Sequence, residues 1–351
     1  MDHDPSFEMA TISPVVIAAV VGLARQRGLD PNPWFAGTGL TPDHMVLPET
    51  RVSFCQSVSI LRRAVRTMPE GPLGMHVGTR DVLLSCGLPG VAMRFSRTVA
   101  DAVRVGREFQ NLVGVLIDSE LETHGDQVAL RLIERMPEPE LLRFLCEEAF
   151  CSSLLMLKAM TGMPVAPVEL HLAYPAPPYA DLYAKFFGCP VRFNADANRM
   201  FFPAAILNER TPFYDETSLR GAVLACRELM KEDDVRPDIV AAVETILREN
   251  VRNSLTMTDV ARRLNVTERT LRRMLAAAGE QFSNIRDRVR RQRAEFLISK
   301  SNMKIATIAD EIGYSDIRDF RRAYVRWTGH PPTQTRRRAA AHHLPRVLPE
   351  L

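Results

Sequence analysis

No apolar run in the 351 residues approaches the roughly 20 that a helix needs to cross a bilayer. The only sustained apolar stretch near the start, Thr11 to Leu23, follows the acidic leader Met-Asp-His-Asp-Pro-Ser-Phe-Glu, where a secretory signal would carry positive charge. It reads as a buried core helix ending at Gly28, and the chain as a cytoplasmic protein with no membrane partner. Cysteine stands only at positions 55, 86, 146, 151, 189 and 226, with no C-x-x-C spacing. That pattern speaks against zinc and disulfide frameworks and leaves buried free thiols as the expectation. The motifs G-x-x-x-x-G-K-[ST], H-E-x-x-H and G-x-S-x-G are missing, and Gly37-Thr-Gly39 lacks the third glycine and the strand–helix context of a nucleotide fingerprint. Glu147-Glu148 reads as an exposed helix face rather than an acid–base pair. No catalytic constellation, metal site or cofactor is expected.

The length suits two domains, and 46% apolar content is enough for real cores. Charge divides them. The whole chain carries a net +3, yet from Arg236 to Arg338 there are 22 Lys/Arg against 12 Asp/Glu, a net of +10 that leaves −7 on the remainder. Positive charge gathered in one segment is the footprint of a nucleic-acid binder.

That segment repeats one local pattern. From Lys304, apolar residues at Ile305, Ile308, Ala309 and Ile312 give a short helix one buried face. Gly313 stops it, and Ser315 or Asp316 caps a second helix that buries Phe320, Tyr324 and Trp327. Arg318, Arg321, Arg322 and Arg326 are left outward. Earlier, Met257 to Leu264 forms a short amphipathic helix, Asn265-Val266 the turn and Thr267 the cap. The helix after it buries Leu271, Met274 and Leu275 and exposes Arg269, Arg272 and Arg273. Two helices joined by a tight turn, the second carrying exposed arginines, describe a helix-turn-helix. The intervening run Ser283 to Ser299 has Ile285, Val289, Ala294, Leu297 and Ile298 inward. As a helix it would span about 25 Å, which with its end turns suits recognition helices about 34 Å apart, one DNA turn.

These residues resemble the AraC/XylS-type transcription regulators, whose DNA-binding domain packs two helix-turn-helix units on one linking helix. In the second unit Ile308-Ala309, Gly313-Tyr314, Phe320, Arg322, Tyr324, Gly329, Pro332 and Arg336 stand at the family's spacing. The first matches at Ala261, Thr267, Arg269, Leu271, Arg273, Leu275, Gly279 and Phe282, then Arg290 and Ala294. Pro331, Thr335 and Asp319 depart from the usual residues, the first two bearing on the packing of the last helix. The resemblance implies DNA-binding residues at Thr267, Arg269, Thr270, Arg272 and Arg273, and at Ser315, Ile317, Arg318, Asp319, Arg321 and Arg322, with Arg269, Arg272, Arg273, Ile317, Arg318, Asp319 and Arg322 facing the groove. Asp319 either accepts from a cytosine amino group or orients Arg322. Arg286, Arg290, Arg291 and Arg293 of the linking helix either touch backbone phosphates or stay solvated.

The first half reads as helices and strands interleaved, a mixed α/β (α+β) domain with one modest sheet. Helices are expected over Phe54 to Val65, Ser96 to Leu112, Glu140 to Thr161 and Tyr179 to Phe187. Strands are expected from Val113 to Leu121 and Gln127 to Ile133, split by His-Gly-Asp as a hairpin, then at Val168, Val191 and Met200. Gly87-Leu-Pro-Gly, Thr98 with Ala102-Val103, Phe187-Gly-Cys-Pro-Val-Arg-Phe-Asn and Asn198-Arg-Met-Phe-Phe resemble the N-terminal domain of the ornithine-utilisation and VirS-like branch of the family. That resemblance implies an effector-sensing and dimerisation domain over residues 1–207, a linker over 208–236, an all-α DNA-binding domain over 237–340 with helix-turn-helix units at about 256–277 and 304–327, and a tail over 341–351. A pocket is expected between the sheet and its flanking helices, walled by Phe95, Phe109, Tyr174 and Phe202, with Arg94, Arg97 or His171 meeting a carboxylate effector. The partners so implied are double-stranded DNA at a promoter or operator in the nucleoid, a small-molecule effector, a second copy of the chain and, for an activator, RNA polymerase. The competing reading is a ligand-independent architectural DNA binder whose first domain only dimerises.

Overall fold

The computed structural model describes residues 5–69, 71–80, 85–232, 237–253, 255–301 and 303–342. Residues 233–236 of the expected linker and 343–351 of the expected tail lie outside them. Contacts divide the chain into two compact units, one of residues 1–35 and 41–236, the other of 36–40 and 237–351. Among the described residues, no helix is long and apolar enough to cross a membrane.

The first unit sets helices against one sheet. Its helices are α1 (Val15–Gln26), α2 (Phe54–Thr67), α3 (Leu73–Gly78), α4 (Gly87–Arg94), α5 (Val99–Glu108), α6 (Gln110–Val113), α7 (Leu142–Thr161), α8 (Asp181–Phe187) and α9 (Glu216–Glu232). The strands are β1 (Asp118–His124), β2 (Gln127–Ile133), β3 (Glu169–His171), β4 (Val191–Arg192) and β5 (Asn198–Pro203), in the order β1-β2-β5-β3-β4. All neighbours are antiparallel except β3 and β4. Hairpin pairing of His124 with Gln127 leaves Gly125-Asp126 as a two-residue loop. The strand expected from Val113 starts only at Asp118, because α6 carries the chain to Val113 and Gly114 ends it in the left-handed region. The helix expected from Ser96 is likewise two, broken at Phe109. Within the stretch expected to be linker, α9 packs on α4, and its Cys226 is buried beside Phe109 and Leu112.

Register decides what each sheet face carries. Leu130 pairs with Leu121 and Met200, and Val128 with Phe202, so one face is apolar. The other face carries an ionic ladder. Arg131 lies 2.9 Å from Glu122 and 3.1 Å from Glu120, while Arg199 reaches Glu122 at 2.6 Å. The Arg199 hydrogen bond holds the Glu122 carboxyl down to about 2.

α3 and α7 pack closely, through glycine. A Cβ built on Gly78 would sit 2.6 Å from Glu148 O and 2.8 Å from Cys151 Cβ. Glu147 and Glu148 do not form the exposed face expected of them. Glu147 is 2% exposed and accepts from Tyr183 at 2.5 Å, Tyr179 at 2.9 Å and the Gly74 amide at 3.1 Å. Burial pushes its carboxyl above the usual range, and three donors offset part of that cost.

The second unit contains α10 (Asp238–Glu249), α11 (Met257–Arg263), α12 (Glu268–Ala277), α13 (Phe282–Lys300), α14 (Ile305–Glu311), α15 (Ile317–Thr328) and α16 (Pro332–His342). It has two cores. Val243, Ile246, Val260, Leu264, Leu271 and Leu275 fill the first, and Ile308, Ile312, Phe320 and Tyr324 the second. α13 serves both, giving Ile285 and Val289 to one and Ala294, Leu297 and Ile298 to the other. Arg288 pins α13 to α10 through Glu244 at 2.7 Å and binds Glu280 at 2.9 Å.

Both units' packing sets measurable stabilities, and two outcomes are expected in the first. Gly78→Ala forces a methyl against the α7 backbone and is expected to cost about 1–3 kcal/mol, read as a lower Tm of the first unit. Because the Glu122 carboxyl is lower folded than unfolded, its contribution is complete above the unfolded value of about 4.3 and disappears as pH falls through about 2. Partial exposure screens it to about 1 kcal/mol, so denaturant unfolding of Glu122→Gln should show that loss at neutral pH and converge with the parent chain in acid.

Candidate DNA interface and effector cavity

Each helix-turn-helix is built by the same backbone device. After α14, Gly313 takes φ +81°, the Gly313 amide donates to Asp310 O and the Tyr314 amide donates back to Ala309 O at 2.9 Å. After α11, Asn265 takes φ +55°, the Asn265 amide donates to Arg262 O and the Val266 amide to Ala261 O at 3.0 Å. Both are the hydrogen-bonded left-handed stop of a helix, with Asn replacing Gly in the first. The following helix is then capped. Thr267 accepts from the Thr270 amide at 3.1 Å, and Asp316, not Ser315, accepts from the Arg318 amide at 2.6 Å.

The residues expected to bind DNA lie on or beside these helices. Arg269, Arg272 and Arg273 on α12 are exposed, as is Thr267, while Thr270 is half-buried. On the second unit Ser315, Arg318, Asp319, Arg321 and Arg322 are exposed and Ile317 is half-buried. Two arginines already have internal partners. Arg272 pairs with Glu268 at 2.7 Å, and Glu268 also accepts from Thr258 of α11 at 2.6 Å, which ties the two helices of the unit together. Asp319 pairs with Arg322 one turn on, and this carboxylate holds the guanidinium charged.

Some expectations are corrected. Met274 is 38% exposed rather than buried, because Leu271 and Leu275, four apart, already fill the inward stripe. Trp327 is half-buried, with its indole donating to Asp287 at 3.1 Å; Asp287 also holds Arg326 at 2.8 Å. Of the linking-helix arginines, Arg290 is neither free nor solvated. It lies over the Tyr314 ring at 5.0 Å, and burial pulls its guanidinium down. Arg291 pairs with Glu295 at 3.1 Å, and Arg293 lies over Phe296. Thr335, where the family usually has an aromatic, bonds the Tyr324 hydroxyl at 2.9 Å and so fixes α16 to α15 by a polar contact.

The first unit contains a half-open cavity of about 250 Å3 between the apolar sheet face and α5 and α7. Leu121, Leu130, Met200 and Phe202 form its floor, Val103 and Met156 its walls, and Arg80, Glu148 and Ser152 a polar end. Of the seven predicted effector residues only Phe202 lines it. Arg94 stacks on Phe213 at 4.1 Å and Arg97 on Tyr214 at 5.2 Å, both beside the start of α9. His171 lies on the ionic face of the sheet, 2.9 Å from Glu169 and edge-on to Phe201. Phe109 belongs to the α6–α9 core, Tyr174 bonds Tyr183, and half-buried Phe95 follows α4. The polar end escaped prediction. Its one local signal was Glu148 and Ser152 four apart, on one helix face.

Comparison with known proteins agrees with both halves. Residues 28–211 match the family described as the arabinose-binding domain of AraC transcription regulators, N-terminal, and residues 260–338 match a helix-turn-helix domain. The ornithine utilization regulator of Pseudomonas aeruginosa is 25% identical over 93% of this chain and 97% of its own length. An uncharacterized HTH-type transcriptional regulator of Mycobacterium tuberculosis is 26% identical, covering 90% of this chain and 93% of that one. The crystal structure of the transcriptional regulator CdpR from Pseudomonas aeruginosa aligns over 96% of this chain and 99% of that chain, at 20% identity and a TM-score of 0.46. With a family match across more than half its length and a helix-turn-helix match behind it, the chain belongs to the AraC family of DNA-binding transcription regulators.

Proposed function

We propose that the chain is an effector-responsive regulator that reads two successive major grooves of one duplex, works as a homodimer and receives its signal in the cavity of the first unit. The observation that carries this reading is the pair of complete helix-turn-helix units on one helix, each with exposed arginines on its second helix. α13 has 19 residues and is therefore about 28 Å long, a length compatible with adjacent grooves on one duplex face. Arginine suits bidentate contact with guanine O6 and N7. The Asp319–Arg322 pair favours the orienting role for Asp319 over direct acceptance from cytosine.

The cavity supports effector response over the architectural alternative, because a dimerisation domain alone has no need of a mainly apolar pocket of this size. A carboxylate effector was expected on Arg94, Arg97 or His171, and none of these lines it. RNA polymerase is the further partner if the regulator activates.

Footprinting is expected to show two neighbouring major-groove segments protected per chain and two such sites per dimer. Protection of one groove per chain would reduce the second unit to a scaffold. Arg269→Ala should weaken operator binding by about 1–3 kcal/mol and leave random DNA almost unchanged. An equal loss on both would reassign Arg269 to phosphate contact. Asp319→Ala should alter base preference at one position with no change in the salt dependence of binding. An effector at a hundredfold its Kd should stabilise the chain by about 2.7 kcal/mol and shift operator affinity. Operator affinity that no small molecule alters would favour the architectural reading.

A further inference from the structure

The two helix-turn-helix units are joined in a second place besides α13. α10 ends at Glu249, and a turn over residues 250–253 follows it. The start of this turn is fixed to the first helix-turn-helix. Asn250 Nδ2 donates to Ile246 O of α10 at 2.9 Å, and Arg263 of α11 donates to Asn250 Oδ1 at 3.3 Å. The next two residues reach the second. Val251 is half-buried and packs against both hydrophobic cores. Arg252 places Nη2 2.7 Å from Asp310 Oδ2 and Nη1 3.5 Å from Glu311 Oε1. A void of about 10 Å3, with Val251 and Leu255 on one side and Arg286, Val289 and Arg290 on the other, keeps the turn apart from α13. The turn is therefore a separate link.

An arginine suits the end of α14. Asp310 and Glu311 occupy its last turn, where the helix dipole disfavours anions, and Arg252 supplies a cation to both. Exposed ion pairs add little to global stability, yet a soft motion needs only a contact of that size to bias it. α13 sets the separation of the two units, but a helix of 19 residues can itself curve. With reading helices about 34 Å apart, a bend of about 10° moves one of them by about 6 Å, nearly two base-pair steps. A link away from the α13 axis resists that bend.

We propose that the turn over residues 250–253 is a second strut between the helix-turn-helix units. Arg252 is a positioning residue that lets both units engage one duplex together and touches no DNA itself. This inference rests on the two-groove reading above.

The test uses the full chain and a duplex that it selects from a random pool, together with duplexes in which one or the other protected segment is scrambled. Arg252→Glu sets a third carboxylate against Asp310 and Glu311. Its loss of affinity for the whole duplex is expected to exceed its loss on either scrambled duplex by about five- to tenfold. Retained binding to the scrambled duplexes shows that each unit is folded. Arg252→Glu combined with Asp310→Arg restores an opposite-charge pair at the parent's net charge, and should recover the whole-duplex affinity. An equal loss on whole and scrambled duplexes would overturn the positioning role, and failure of the charge swap to recover affinity would assign Arg252 to phosphate contact instead. Footprints of the parent chain on one groove only would remove the two-groove reading and the strut's role with it. Two protected grooves with whole-duplex affinity unchanged by Arg252→Glu would sink the strut alone.

Discussion

α13 is the constraint on which the DNA-binding unit depends. Ile285 and Val289 near its start belong to one core, and Ala294, Leu297 and Ile298 near its end to the other. A helix cannot slide relative to itself, so packing each end fixes the separation and rotation of the two helix-turn-helix units. Each unit is a pair of short helices whose core is completed by α13, and in the first by α10 as well. The polar contacts reinforce this arrangement. Arg288 with Glu244 and Glu280 secures the first unit, and Asp287 with Arg326 and Trp327 secures the second. Residues that would pass for phosphate contacts by their charge, Arg288 and Arg290 among them, are engaged in holding the scaffold.

The first unit depends on a different economy, close approach. Gly74 and Gly78 let α3 lie against α7 at a distance that no side chain would permit. The approach puts the Gly74 amide on Glu147 and Arg80 on Glu148, so two adjacent carboxylates on one helix acquire different surroundings. Glu147 is sealed among tyrosines and serves the core. Glu148 neutralises the one arginine at the polar end of the cavity. The sheet contributes through register: its alternate residues separate an apolar cavity face from the ladder of Glu120, Glu122, Arg131 and Arg199.

Much of the second unit was legible in the sequence because its signals are local. Apolar spacing, a left-handed stop at Gly313 or Asn265, and a cap at Thr267 or Asp316 each act within a few residues, and they place the exposed arginines without reference to the rest of the chain. Met274 was misjudged because periodicity says which stripe faces inward and not how wide the partner surface is. In the first unit the hairpin and the long helix were readable for the same local reasons. The lining of the cavity was not.

The sequence by itself determined the two-domain plan, the concentration of positive charge in the second domain and the arginines exposed on the second helix of each helix-turn-helix, since all of these come from composition and from contacts within one or two turns. Tertiary structure alone decided which polar groups share a pocket. Arg80 and Glu148 are 68 positions apart and meet only because two glycines admit α3 to α7. Arg94, Arg97 and His171 had equal claim by residue type and lie elsewhere, stacked on Phe213 and Tyr214 or turned to the other face of the sheet. Long-range pairing of this kind is set by strand register and helix approach, and no short stretch of chain encodes either.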